Sequence, residues 1–374
     1  MKRVLVVTGT RADFGKQRGL MRALEAAEDF QLQVVVTGMH LIERYGETVL
    51  EVLDEGFSQV HQLPNQIPGE PMDLVLANTI AGFGRLVHDR PPDAIIVHGD
   101  RLEALAGAIV GAVRNVRVIH LEGGELSGTI DGSLRHAITK LAHVHLVANE
   151  VAGQRLIAMG ETPDSVLRVG SLEVDALLDA QAPEYGSIAA HYGLPEGPLG
   201  VAILHPVTTD PARSRASAEA LVEALLTVDL PFVVIDPNND EGTLDILHAY
   251  ERLSGHMRIR RLPSMRFEAF VTLLKHCVVV VGNSSSGVRE APVFGTRSVN
   301  IGTRQRGRAD APTIRHVGPD ASEIVQAIEQ AVRDGRGPST TAFGAGGSLP
   351  VVMEALRSEA LWALPLDKRF FENG

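Results

Sequence analysis

From one end to the other, the chain alternates short apolar runs with stretches in which apolar residues recur every three or four positions. Runs rich in Val and Ile, bounded by glycine or polar residues, predict buried strands at Val4 to Val7, Gln33 to Val36, Ala94 to Val97, Val116 to Leu121 and Val144 to Val147. The pattern then restarts, with strands predicted at Gly200 to Leu204, Phe232 to Ile235, Arg258 to Leu262, Val278 to Val281 and Ser298 to Ile301. Between the two series, Asp179 to Leu199 contains APEYG and GLPEGPLG and predicts a linker with a short helix inside it. Strands alternating with helices mark a parallel sheet covered on both faces. The expected fold is therefore α/β, with two Rossmann-like domains facing a cleft. The first spans 1–180 and the second 195–345, while 346–374 form a C-terminal helix and tail free to pack back on the first domain.

Composition narrows the partners. At 374 residues the chain exceeds the size at which one core usually keeps growing, which fits two domains. Its formal charge, 35 − 46 = −11, speaks against nucleic acid or an anionic membrane as a partner. An anionic ligand would have to meet a local basic pocket. Cys277 is the single cysteine, so no intrachain disulfide can form and a reducing compartment is expected. The apolar run in MKRVLVVTGT is too short for a secretion signal, and no stretch approaches the roughly 20 apolar residues that span a bilayer. A cytoplasmic protein is expected.

The densest chemistry lies between His98 and His145. The strand at Ala94, a helix from Leu102 to Arg114 and the strand ending at Leu121 make one βαβ unit, whose strands must run parallel. Asp100 and Glu122 then stand at the same sheet edge, beyond the carboxyl ends of the strands, where open α/β sheets bind ligands. Neighbouring strands lie about 4.8 Å apart, so one small substrate is within reach of both. Taken singly, each acid reads as a helix cap or a solvated loop residue. Alternation along the strands expects His98 to share a face with Asp100, and His120 with Glu122.

The second half offers the opposite kind of chemistry. In VVVVGNSSSGVREAP a strand runs into three serines, and a helix is expected to open near Gly287. Its N–H groups and hydroxyls would cradle a phosphate, with Ser284 and Ser285 foremost, although one serine alone would serve as an ordinary cap. Glu290, read as one turn into that helix, suits a ribose diol or plain solvation. His205 in HPVTTD stands at another strand end, where it can bond a diphosphate or move a proton. GTRQRGR supplies Arg304, Arg306 and Arg308, of which at least one is expected to be only solvated. In TGTRADFGK the dinucleotide pattern G-x-G-x-x-G is missing, so no nicotinamide cofactor is expected, and Arg11 reads as a phosphate or base contact. His40, in TGMHLIERYG, is a further candidate for the same cleft. His98-x-Asp100, His120-x-Glu122 and His143-x-His145 raise a rival metal site, but no HExxH, paired-cysteine or Asp-rich pattern supports one, and no metal is expected.

Taken in order, GTRADFGK, TGMHLIERYG, HGDR, HLEGGELSGTID, RHAITKLAHVH, HPVTTD, GNSSSGVRE and NIGTRQRGR closely resemble the hydrolysing UDP-N-acetylglucosamine 2-epimerases of sialic-acid synthesis, from residue 3 to about 310. The resemblance implies a GT-B fold and a UDP-sugar substrate, with UDP-N-acetylglucosamine and water converted to N-acetylmannosamine and UDP. It is to the epimerase part alone, without the kinase domain of the vertebrate members. Carried over by motif, Asp100, Glu122 and Asp131 are the acid/base carboxylates, while His205 and Arg101 are catalytic or touch the diphosphate. Arg11, His40, Ser284, Ser285, Glu290 and Arg304 would hold substrate and UDP. No cofactor is implied, since no net redox change occurs, and relatives imply a homodimer or homotetramer. The alternatives are the same reaction on a 2,4-diacetamido-trideoxy sugar of legionaminic-acid synthesis, a non-hydrolysing epimerase, a GT-B glycosyltransferase, and a UDP-sugar sensor without turnover.

Overall fold

A computed structural model describes residues 1–372 except Pro68, Thr129, Ala180, Gln181 and Asp310. Thr129 of the SGTID motif and residue 180, the expected end of the first domain, therefore lie outside the described residues. The chain forms two compact units: unit 1 comprises Met1–Glu125, Asp131–Leu178 and Phe343–Gly374, and unit 2 comprises Leu126–Ile130 and Asp179–Ala342. The division is not a single cut. Leu126–Ile130 cluster with unit 2, where the Gly128 N–H donates to the Arg304 carbonyl at 3.0 Å. A Cβ on Gly128 would stand 2.7 Å from the Thr303 carbonyl oxygen, so the approach requires glycine.

Unit 1 is built on a seven-stranded sheet of β1 (Lys2–Thr8), β2 (Phe30–Thr37), β3 (Val60–Leu63), β4 (Ala94–His98), β5 (Arg117–Leu121), β6 (Val144–Val147) and β7 (Val166–Arg168). Its order is β3-β2-β1-β4-β5-β6-β7, and every pair is parallel. Unit 2 carries β8 (Gly200–Ile203), β9 (Phe232–Ile235), β10 (Ile259–Leu262), β11 (Val279–Gly282), β12 (Arg297–Ile301) and β13 (Ile314–Val317). These pair in parallel in the order β10-β9-β8-β11-β12-β13. Both sheets reverse strand order once, between β1 and β4 and between β8 and β11, and ligands of doubly wound sheets bind at such points.

The central strands are buried on both faces, which is why they read as unbroken apolar runs. Val4, Val6, Ile96 and Ile119 enter one core of unit 1, while Leu5, Val7, Ile95, Val97 and Val118 enter the other. Each such side chain is worth about 1.5–3 kcal/mol relative to exposure, so the strand ends are rigidly held. The helix Ser348–Arg357 adds Val352 and Leu356 to the first of these cores. Strands β3, β7 and β13 escaped the sequence pattern. They lie at sheet edges and carry VHQL, VLR and IRHV, too short and too polar to stand out from a loop. Among the described residues, no helix is long and apolar enough to cross a membrane.

Candidate functional site

The expected acid pair meets at the carboxyl edge of unit 1, joined by a side chain that sequence reasoning did not single out. Arg135, on the helix Ile130–Leu141 and only 1% exposed, donates through Nη2 to Asp100 Oδ2 and through Nη1 to the main-chain carbonyl of Glu122 at 2.6 Å. Glu125 Oε2 stands 4.0 Å from the same Nη1. Asp131 lies one turn before Arg135 on that helix, where residues four apart are neighbours. The helix Leu102–Val113 has Arg101, not Asp100, at its N-cap position, with no side-chain cap bond. Arg101 is partly exposed, its Nε 3.5 Å from Glu103 Oε2.

Glu122 is no solvated loop acid. It is 5% exposed, its backbone sits in the left-handed region at φ 59°, and its N–H donates to the Leu146 carbonyl at 2.9 Å. A non-glycine residue held there costs of order 1–3 kcal/mol, a strain that persists only where the surroundings impose it. One carboxylate oxygen accepts from Ser171 Oγ at 2.5 Å, and the other lies 3.3 Å from His98 Nε2. This corrects the expected pairing of histidines and acids. The left-handed turn breaks the two-residue alternation, so Glu122 turns towards His98. His120 instead donates from Nε2 to the Gly99 carbonyl at 2.8 Å, with Nδ1 beside Thr139 Oγ1 at 3.3 Å. Burial pushes His120 down to about 3, so its ring is neutral. His98 goes the other way: burial alone would lower it, but Glu122 and Asp13 outweigh that and raise it to about 9.

Two further candidates of unit 1 also have partners within the fold. His40 is completely buried, with Nε2 3.1 Å from Thr8 Oγ1 and Nδ1 2.6 Å from Thr48 Oγ1. Burial pulls it down to about 4, so the ring held between the two threonines is neutral. Arg11, the first residue of the helix Arg11–Glu25, pairs with Glu51 at 2.7 Å and keeps part of its guanidinium accessible. Two histidines of the rival metal reading, His143 and His145, are bonded within the fold. His143 Nδ1 accepts the Val118 N–H at 2.9 Å, and His145 Nε2 meets Glu161 Oε2 at 2.9 Å.

In unit 2, three of the expected motifs converge on Asn283, which comes directly after β11. Its Oδ1 accepts the His205 N–H at 2.7 Å and its Nδ2 donates to the His205 carbonyl at 2.8 Å. Its own carbonyl accepts from Arg304 Nη1 at 3.2 Å and from Gln305 Nε2 at 3.0 Å. Gly282 makes the crossing feasible, since at φ 132° a Cβ would run into the Ile203 backbone. His205 Nδ1 accepts the Asn238 N–H at 3.1 Å, which leaves the proton of a neutral ring on Nε2.

The serine stretch departs from the expected helix N-terminus. Ser285–Gly287 form a 3₁₀ turn, and the next helix, Glu290–Val293, has only four residues: Pro292 has no N–H to bond back to the turn, and Gly295 at φ 67° follows the helix. An anion would meet individual N–H and hydroxyl groups there rather than a long helix dipole. Ser284 caps the turn locally, its Oγ accepting the Ser286 N–H at 3.3 Å. Glu290 opens the short helix instead of lying one turn inside it, and it is buried, which removes the solvated reading. In the arginine loop Arg304 is buried, Arg306 is exposed, and Arg308 donates to Gln305 Oε1 at 3.3 Å.

Asp13, Arg135, Ser171 and Asn283 are the site residues that sequence reasoning missed. Asp13, Arg135 and Asn283 sit inside TGTRADFGK, RHAITK and GNSSSG, motifs read for other residues, whereas nothing in the sequence marked Ser171.

Residues 22–357 match the family described as UDP-N-acetylglucosamine 2-epimerase. A UDP-N-acetylglucosamine 2-epimerase of Neisseria meningitidis serogroup B is 42% identical, covering 100% of this chain and 99% of its own length. A UDP-N,N'-diacetylbacillosamine 2-epimerase (hydrolyzing) of Legionella pneumophila is 31% identical, covering 98% of this chain and 99% of its own. Among solved structures, a UDP-GlcNAc 2-epimerase from Neisseria meningitidis bound to UDP-GlcNAc aligns with a TM-score of 0.80 at 18% identity, covering 95% of this chain and 99% of that one. The fold is GT-B.

Proposed function

The chain belongs to the UDP-N-acetylglucosamine 2-epimerase family, and we propose that it is a hydrolysing member, converting UDP-N-acetylglucosamine and water to N-acetylmannosamine and UDP. Loss of the proton from carbon 2 and of UDP from carbon 1 forms a carbon–carbon double bond, giving a glycal. Water then adds its oxygen at carbon 1, and a proton enters carbon 2 to give the manno configuration. The reaction needs a proton acceptor, a proton donor and a holder of the departing diphosphate. The observation that carries the reading is the Asp100–Arg135–Glu122 arrangement: two acids on adjacent strand ends, fixed by one buried guanidinium.

In this reading Asp100, Glu122 and Asp131 perform the proton transfers, with Arg101 beside them. Acids held near one another and away from water can be driven apart in pKa, so that one donates while another accepts. Unit 2 takes the UDP side: His205 and Arg304, held through Asn283, supply a proton-bearing ring and a cation, and Ser284, Ser285 and Glu290 supply polar contacts. Arg11 contributes a further cation from unit 1. The 42% identity to the meningococcal relative, against 31% to the diacetylbacillosamine enzyme, favours the unmodified sugar, and the word hydrolyzing in the latter's name supports water as co-substrate.

The test is incubation of the purified protein with UDP-N-acetylglucosamine in deuterated water, with the sugar monitored by NMR. Free N-acetylmannosamine with deuterium at carbon 2 is expected. A product still linked to UDP would make the enzyme non-hydrolysing. Turnover of only the diacetamido sugar would move the substrate, and binding without turnover would leave a sensor.

A further inference from the structure

His98 ends β4 with its side chain 8% exposed, enclosed between carboxylates from two other elements. Nδ1 lies 2.8 Å from Asp13 Oδ1, in the first turn of the helix Arg11–Glu25, and Nε2 lies 3.3 Å from Glu122 Oε2. The first contact is a hydrogen bond and the second an ion-pair approach, and carboxylate oxygens on both sides of a buried ring favour its doubly protonated, cationic form over the neutral one. Asp13 is itself anchored, accepting from Gln17 Nε2 at 2.8 Å and from the Gly9 N–H at 3.3 Å.

We propose that Asp13 and His98 form a positioning pair for Glu122: the Asp13 carboxylate holds His98 as an imidazolium, and that cation keeps the Glu122 carboxylate ionised and oriented on the left-handed turn after β5. The inference rests on Glu122 as an acid/base group of the proposed reaction. Charged groups on the neighbouring elements have partners of their own among the described residues. Arg135 binds Asp100 and the Glu122 carbonyl, Lys16 pairs with Glu173 at 2.7 Å, and Glu103 lies beside Arg101. His120 and His40 are buried and neutral. Burial opposes a charge on His98, and the two carboxylates overcome it, so the ring stays protonated through neutral pH and loses its proton only near 9. Removing the charge of Asp13 leaves burial opposed by Glu122 alone, which lowers the pH at which the ring is neutralised.

Two measurements test the pair. Imidazole nitrogen NMR at pH 8 should show a ring protonated on both nitrogens that disappears in His98→Gln, and in Asp13→Asn that ring should become neutral. With UDP-N-acetylglucosamine, Asp13→Asn should lower kcat by about tenfold or more with KM little changed, and shift the alkaline limb of the pH profile to lower pH. Asp13→Glu should restore part of both, and Asp13→Asn should add nothing in a Glu122→Gln background. A neutral His98 at pH 8 in the unaltered protein, an unchanged ring signal in Asp13→Asn, or an effect confined to KM would overturn the proposal. Failure of the unaltered protein to turn over the substrate would overturn the functional reading instead, while the ring NMR still decides the charge on His98.

Discussion

The side-chain amide of Asn283 grips the main chain of His205 at both ends, accepting its N–H at 2.7 Å and donating to its carbonyl at 2.8 Å. The amide is the one side chain of that size offering an acceptor and a donor side by side. Asn283→Ala removes both bonds and should cost about 2 kcal/mol, from two net hydrogen bonds and the buried groups left behind. Asn283→Asp keeps the shape but turns a carboxylate oxygen towards the His205 carbonyl, so it should lose at least as much melting temperature and kcat/KM as the alanine variant. An aspartate variant as stable and active as the unaltered protein would show that the clamp does not hold His205.

How far the sequence announced this arrangement differs between strand and turn. Ala94–His98 and Arg117–Leu121 are legible because burial on both faces demands uninterrupted apolar residues. The positions of Asp100 and Glu122 at one edge come from parallel pairing alone. The turns beyond the strand ends were not legible, because a left-handed residue such as Glu122 leaves no compositional trace when it is not glycine, and it redirects every side chain after it. Arg135 and Ser171 in unit 1, and Asn283 in unit 2, reach their partners from distant segments through side-chain bonds, which have no period to read. The serine stretch misled for a local reason: Pro292 has no N–H to bond back to the turn before it, and Gly295 in the left-handed region follows almost as soon as the helix has opened.

Asp100→Asn and Glu122→Gln should each lower turnover of UDP-N-acetylglucosamine by about 10²- to 10⁴-fold, the usual worth of a positioned acid or base. Asparagine at 100 keeps an acceptor for Arg135, so its far- and near-ultraviolet circular dichroism should match the unaltered protein. Glutamine at 122 can still accept from Ser171 but can place an N–H against His98, so a modest fall in melting temperature should accompany its loss of activity. Near-normal turnover in both variants would remove the assignment of the acids.

Thermal stability should pass through a maximum near pH 6.5 to 7. His40, His120 and His143 are lowered by burial from the ordinary histidine value of 6.5 to about 4, about 3 and about 4. The unfolded chain therefore binds more protons than the native one as pH falls below 6.5, and stability is lost in that direction. His98 carries the opposite sign. Its native pKa of about 9 exceeds the unfolded value, so its contribution is complete below 6.5 and is lost as pH rises through 9. Calorimetric melting temperatures from pH 4 to 9.5 would show a dome, and His98→Gln would flatten its alkaline side only. A flat profile between pH 4 and 6.5 would contradict the buried neutral histidines.

Lys368 fastens the C-terminal segment to unit 1 at the sheet edge opposite the acids. Its Nζ donates to the carbonyls of Thr139 at 2.7 Å and Ala142 at 2.5 Å, and pairs with Glu161 Oε2 at 2.5 Å. Glu161 is almost fully buried. Burial would raise it, but His145, Lys140 and Lys368 outweigh that and hold it down at about 2. Beyond the lysine, the Phe371 N–H donates to the Gly160 carbonyl at 2.9 Å, and before it Arg117 Nη2 donates to the carbonyls of Trp362 at 2.9 Å and Leu364 at 2.7 Å. Removing one partner of a buried ion pair costs about 3–5 kcal/mol, and Lys140 and His145 remain to share the Glu161 charge, so Lys368→Met should cost about 2–3 kcal/mol. The loss should be local. Arg117 still holds the chain at Trp362, the only tryptophan, so its emission should stay unchanged while carboxypeptidase removes residues beyond Leu364 faster than from the unaltered protein. A concerted shift of Trp362 emission would mean that the segment detaches as one piece, and an unchanged melting temperature would mean that the Glu161 cluster does not bind it.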